Sequence, residues 1–90
     1  MTLCRRFIVS GEVQGVFYRQ STLQTAKDLQ VTGWVKNLAN GDVEVLACAD
    51  EATLHALQDW LWSGPSAAKV NSVIFDDVEM APLPMFEIRY

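Results

Sequence analysis

Histidine is nearly absent from this chain, and cysteine is scarce. The one histidine is His55, and the two cysteines, Cys4 and Cys48, stand 44 positions apart in a sequence of 90 residues. Neither supplies a recognisable ligand set for zinc or another transition metal. The usual set of acid, base and nucleophile for covalent catalysis is missing as well. His55, with no partner at ligand spacing, reads as a surface residue of a helix, and no metal or other cofactor is expected. Long hydrophobic runs are also lacking. Apolar stretches extend only a handful of residues and no charged-then-apolar leader precedes the first strand, which argues against a bilayer-crossing helix and a signal peptide. A soluble cytoplasmic protein with no membrane partner is expected. Positive charge is in deficit, since 7 Lys and Arg face 11 Asp and Glu for a formal net charge of −4. Acidic residues gather at Asp50-Glu51 and Asp76-Asp77-Val78-Glu79, so a nucleic-acid backbone would be repelled over much of the surface. Trp34, Trp60 and Trp62 have no accompanying Lys/Arg-Gly-aromatic signature and read as packing or rim aromatics, not as a base-stacking platform.

What is present suits one domain spanning residues 1–90, half of it hydrophobic. A chain this short buries about two thirds of the surface that its unfolded form exposes, enough for one thin core. Leu3 to Gly11 alternates as a strand, with Phe7 and Val9 on the core face and Arg6, Ile8 and Ser10 on the other. From Tyr18 to Leu29 the period becomes helical, with Leu23, Ala26 and Leu29 on the apolar stripe. Gly33 to Ala39 and Asp42 to Ala49 are β-prone runs joined at Asn40-Gly41, a hairpin signal because both residues tolerate positive φ. Thr53 to Trp62 forms a second helix with Leu54, Leu57 and Leu61 on its buried side, Asp50 placed at its N-terminal end and Gly64-Pro65 stopping it. Val70, Val73, Phe75 and Val78 suggest a less regular strand, and Phe86 to Tyr90 a short final one beyond Pro82 and Pro84.

The order βαββαβ plus a short terminal strand predicts an α+β protein. Two right-handed crossovers place both helices on one face of an antiparallel sheet, a two-layer α/β sandwich. The ferredoxin-like arrangement, strand order 4-1-3-2, is the economical solution. It sets the start of the first strand beside the end of the third, so that Cys4 and Cys48 are neighbours on the face opposite Phe7 and Val45. A possible disulfide there would close a loop of about 45 residues, worth about 4 kcal/mol in the chain-entropy model, whereas a reducing cytosol argues for free thiols. With no exposed apolar seam in the pattern, a monomer is expected.

The segment Gly11-Glu12-Val13-Gln14-Gly15-Val16-Phe17-Tyr18-Arg19 joins the first strand to the first helix. A glycine-bearing loop of this kind can turn successive N–H groups onto an anion, the helix adds its positive dipole end, and a guanidinium adds a planar fork of donors. The anion that suits all three is a phosphoryl group. Gly11 and Gly15 can equally serve turn geometry alone. Asn37, in a β-prone run, is disfavoured by propensity, yet asparagine at a strand end is ordinary; spacing alone leaves those readings level.

Val9 to Arg19 resembles the first signature of the acylphosphatase family, hydrophobic-x-Gly-x-Val-Gln-Gly-Val-x-aromatic-Arg. Gly33-Trp34-Val35-Lys36-Asn37 followed by Gly41-Asp42-Val43 is similar to its second, and Gly64-Pro65 and Phe86-Glu87-Ile88-Arg89-Tyr90 to its remaining landmarks. The resemblance covers the whole chain. Three positions depart from the pattern: Tyr18, where Phe or Met is commoner, and Gln30 and Ala49, which stand in for glycines. The resemblance implies a ferredoxin-like fold and hydrolysis of an acyl phosphate to a carboxylate and inorganic phosphate. It implies that Arg19 binds phosphate, together with loop amides over Gln14, Gly15, Val16, Phe17 and Tyr18, and that Asn37 orients water. Such a substrate needs no acid catalyst at its leaving group, since the departing carboxylate has a conjugate-acid pKa of about 4. Inorganic phosphate or sulfate should occupy the same cradle. A rival reading is a non-catalytic phosphate or small-anion binding module, which has no evident need of Asn37. A third is an acylphosphatase-like module serving a larger carbamoyl-transfer enzyme, although the sequence ends with the small domain.

Overall fold

Alternating burial builds the sheet, and three-to-four-residue spacing builds the helices that cover it. The computed structural model describes all 90 residues, Met1 to Tyr90. Its elements are β1 (Leu3–Glu12), α1 (Tyr18–Asp28), β2 (Thr32–Asn37), β3 (Val43–Ala49), α2 (Glu51–Ser63), β4 (Lys69–Val78) and β5 (Phe86–Ile88). The strands form one five-stranded sheet in the order β4-β1-β3-β2-β5. The first four follow the expected 4-1-3-2 order and pair antiparallel.

β5 corrects the expectation of a wholly antiparallel sheet, because it pairs parallel with β2, Gly33 opposite Phe86 and Val35 opposite Ile88. The cause is topological. β4 runs opposite to β2 and finishes at the end of the sheet where β2 begins, so a chain that crosses there to the far edge must run alongside β2 in the same sense. Pro82 and Pro84 lie in that crossing, where a missing N–H costs no ladder bond.

The core lies between the sheet and the helices. Phe7 and Val9 of β1, Val35 of β2, and Val43, Val45 and Ala47 of β3 are wholly buried, and Leu54, Leu57 and Leu61 of α2 pack onto them as the helical spacing predicts. The stripe of α1 differs from expectation. Tyr18, Thr22 and Ala26 are the buried residues, while Leu23 and Leu29 are only partly covered. Thr22 tolerates burial because its hydroxyl donates to the Tyr18 carbonyl at 2.8 Å, one turn back, and so leaves no unpaired polar group. Gln30 takes φ 59° just past α1, the left-handed conformation that glycine adopts most easily.

Tyr18 also solves a problem that Pro65 creates. The Leu61 carbonyl, in the last turn of α2, would ordinarily accept from the N–H four residues on, but that residue is proline and has none. The Tyr18 hydroxyl donates to it instead, at 2.6 Å and fully buried. Burial pushes the Tyr18 phenol pKa well above its ordinary value. The same ring rests against Trp60, centroids 5.7 Å apart.

Other expectations need adjusting at their edges. β2 stops at Asn37, earlier than Ala39, and the turn spans Leu38 to Asp42; Gly41 alone takes positive φ there, while Asn40 does not. Gly11 lies within β1 where β4 bulges at Asn71, and a Cβ at position 11 would stand 2.1 Å from the Lys69 carbonyl oxygen. Close backbone approach accounts for this glycine. His55 lies exposed on α2, 3.7 Å from Asp59. The acidic run of β4 faces arginines: Asp77 lies 2.6 Å from Arg5, which holds its carboxyl below the usual range, and Asp76 lies 3.6 Å from Arg6. Cys4 faces Cys48 across β1 and β3, Cα atoms 4.1 Å apart and sulfurs joined.

Two measurements follow from this packing. Tyr18→Phe removes the only side-chain donor to the Leu61 carbonyl and is expected to destabilise the protein by about 1–3 kcal/mol in urea unfolding. Purified protein is expected to hold no free thiol in a denatured thiol assay. Reduction should lower its unfolding midpoint, the loop entropy setting an upper scale of about 4 kcal/mol; an unchanged midpoint would show that this cross-link contributes nothing to stability.

Candidate active site

The pairing of β1 with β3, and of β3 with β2, sets Val9, Val43 and Asn37 in one row across three strands. The end of β1, the start of α1 and the end of β2 therefore share one end of the sheet. A cavity of about 280 Å³ opens between them, lined by Val13, Gly15, Phe17, Tyr18, Arg19, Gln20 and Asn37. Arg19 and Asn37 thus meet in one cavity, as do Gly15, Phe17 and Tyr18. Gln14 and Val16 do not line it: Val16 packs against the core, and the Gln14 side chain turns toward the β2–β3 hairpin.

Backbone handedness shapes the loop. Gly15 takes φ 76° and Phe17 φ 63°, with Val16 between them on the negative side. Such alternation turns successive N–H groups toward one concavity, a nest suited to an anion. A Cβ at Gly15 would meet nothing within 4 Å, so it is the backbone conformation and not crowding that calls for glycine. Phe17 carries a real cost, because a bulky residue in the left-handed region is rare. Its ring is 78% exposed, so packing does not offset that cost.

The two helix starts differ. Asp50 caps α2 by accepting from the Thr53 N–H at 2.8 Å, with Glu51 in the first turn. α1 has no side-chain cap and no acid in its first turn. Its first internal bond runs from the Ser21 N–H to the Phe17 carbonyl, leaving the amides of Tyr18, Arg19 and Gln20 without intrahelical partners. All three residues line the cavity. Gln20 was absent from the sequence-based site. The signal for it is the lack of Ser, Thr, Asp or Asn before the helix, an omission that leaves the N-terminus bare.

Arg19 takes part in none of the ion pairs. Its guanidinium lies 4.9 Å from the centre of the Tyr90 ring, over the ring face, a contact that keeps the charge available while restricting the side chain. Sequence spacing could not reveal a pairing across the whole chain. The Asn37 side-chain oxygen is buried and accepts no hydrogen bond. A buried carbonyl left unpaired costs about 1–3 kcal/mol, and here that cost sits at the wall of a polar cavity. An unneutralised cation, a bare helix start and the Asn37 side chain line one space suited to a small anion and a water molecule.

The family model for acylphosphatase matches residues 5–88. The chain belongs to the acylphosphatase family. A curated protein of Coxiella burnetii named Acylphosphatase is 44% identical over 86 residues, covering 96% of this chain and 90% of its own length. Among solved structures, an acylphosphatase from Coxiella burnetii superposes with a TM-score of 0.93 at 43% identity, covering 98% of this chain and 93% of that one. The crystal structure of acylphosphatase from Bacillus subtilis gives 0.90 at 33% identity, with 98% and 99% covered. The acylphosphatase fold is thus matched over nearly its full length, the ferredoxin-like sandwich included.

Inorganic phosphate and sulfate are expected to shift the amide resonances of Gly15, Tyr18, Arg19 and Gln20 and to inhibit turnover competitively. Shifts confined to other surfaces, with no competition, would exclude this cavity as the anion site.

Proposed function

We propose that this chain is a hydrolase of acyl phosphates in which Arg19 and the loop amides hold the phosphoryl group and Asn37 aims the attacking water. The observation that carries this reading is the meeting of Arg19 and Asn37, from two separate sequence motifs, in the wall of one cavity. The phosphoryl oxygens collect the convergent N–H groups from Gly15 onward, the bare start of α1 and the Arg19 fork. Charge shared among these oxygens in the transition state is stabilised by donors already in position, the term that dominates when no covalent step is involved. The Asn37 carboxamide orients a water opposite the bond to the acyl group.

In the reaction the water oxygen bonds to phosphorus while the bond from phosphorus to the acyl oxygen breaks. The acyl group leaves as a carboxylate with the bonding pair, and both of the water's protons end on the phosphate, which forms as dihydrogen phosphate. A carboxylate departs at neutral pH without protonation, so the scarcity of histidine is no obstacle. We infer further that residues 1–90 act as a single domain, as a monomer in the cytoplasm, with simple acyl phosphates and no nucleic acid or membrane as partners. A steady-state assay with a simple acyl phosphate in the presence of a metal chelator tests both the activity and its independence of metal.

The roles separate kinetically. Arg19→Ala is expected to weaken phosphate inhibition and lower kcat together, since the arginine touches the phosphoryl group in ground and transition states alike. Asn37→Ala should keep near-normal phosphate inhibition while losing on the order of 10² to 10³ in kcat. A folded Asn37→Ala protein turning over at the parent rate would remove Asn37 from the mechanism and favour a binding module.

A further inference from the structure

The phosphate cradle and Asn37 stand on different pieces of the fold. The cradle follows β1 and Asn37 ends β2, yet β3 lies between these strands in the sheet, so the two are joined by backbone only through two successive ladders and no strand pairing links them directly. Their separation must nevertheless be held to a fraction of an ångström if a water is to meet phosphorus in line, since a misplacement of about 1 Å can cost 10²-fold in rate.

One side chain spans the gap. The Gln14 amide nitrogen donates to the Leu38 carbonyl and to the Asp42 carbonyl, both at 2.8 Å. These are the only side-chain hydrogen bonds between the loop and the hairpin. Each acceptor adjoins the site. Leu38 directly follows Asn37, and Asp42 directly precedes Val43, the ladder partner of Asn37. The Leu38 N–H itself donates to the Asp42 carbonyl at 2.8 Å, so both hydrogens of one NH2 group grip the pair of residues that close the hairpin. On the other side Gln14 is bonded to Gly15, where the backbone first turns left-handed. The path from cradle to carboxamide therefore runs Gly15, Gln14, Leu38, Asn37, with two covalent links and one hydrogen bond.

We propose that the Gln14 side chain is a positioning residue that sets the distance between the bound phosphoryl group and the water held by Asn37. This part is distinct from the phosphate-binding amide that the family resemblance implies at position 14, and the proposal rests on the roles given above to the Arg19 cradle and Asn37. The contact is neutral, half-buried and directed at main-chain oxygens, so it fixes geometry without adding charge to the site. Loss of the side chain leaves every donor of the cradle in place but frees the cradle to drift against the hairpin. The consequence is a fall in turnover with little change in phosphate binding, visible only while Asn37 is present.

A double-mutant cycle tests this. Gln14→Met keeps the bulk of the side chain without its donors, Gln14→Ala removes both, and each is made in the parent and in the Asn37→Ala background, with amide spectra to establish the folded sheet. In the parent, Gln14→Met is expected to lower kcat about tenfold or more and to leave the phosphate inhibition constant within about twofold. In the Asn37→Ala background the same substitution should cost less than about twofold, because nothing remains to be aligned. Losses that multiply in the double variant would overturn the proposal. So would phosphate binding that weakens in step with kcat, an unchanged kcat, or a Met variant that cannot fold, which would make Gln14 a stability residue. The underlying reading fails differently: Asn37→Ala alone would then retain the parent kcat, and the proposal would fall with it.

Discussion

The antiparallel register of β1 on β3 is the constraint on which the rest of the molecule depends. Phe7 opposite Val45 and Val9 opposite Val43 form the middle of the helix-facing surface, all four fully buried, and each such side chain is worth about 1.5–3 kcal/mol when removed from water. A slip of one residue would turn Arg6, Ile8 and Glu44 toward the helices and expose the valines, an exchange that no loop contact could offset. That register also carries the outer strands. β4 is hung on β1 and β2 on β3, so the row from Val9 to Asn37, and with it the mouth of the cavity, is set by packing in the centre of the sheet.

Onto this rigid frame the chain sets a local structure that gives up stability. α2 begins as helices ordinarily do, with a capping aspartate and an acid in its first turn. α1 has neither, and it is preceded by a phenylalanine in the left-handed region. Each omission is unfavourable taken alone, and each leaves donors or positive potential directed at the same space. The buried oxygen of Asn37 without a partner belongs to the same group of local penalties. They cluster at one end of the sheet, which is the pattern expected when binding rather than folding determines a segment.

Much of this was legible in the residues, and the failures have physical causes. Period-two alternation in β1 and β3 and the leucines of α2 revealed the core because burial on one face is what produces such patterns. The stripe of α1 differs from the apolar pattern because Thr22 counts as polar, whereas its hydroxyl bonds within its own helix and the residue is fully buried. The direction of β5 was hidden because three residues carry no directional signal; only the end at which β4 finishes decides it. For the site, Arg19 and Asn37 were legible through the spacing of two motifs. The stacking of Arg19 on Tyr90 and the turn of Gln14 toward the hairpin were not, since both join residues far apart in the chain.

The Gln14 contact has a further consequence for how information is distributed along the chain. Its acceptors are main-chain carbonyls, which every amino acid supplies, so the interaction asks for a particular side chain at position 14 and for nothing but backbone at 38 and 42. The dependence is one-sided. Substitutions in the hairpin that preserve its turn leave the acceptors intact, while no compensating change there can restore a donor lost from the loop. Two positions joined in space would therefore drift without correlation, and a search for paired substitutions would pass over the bond that joins the two halves of the site.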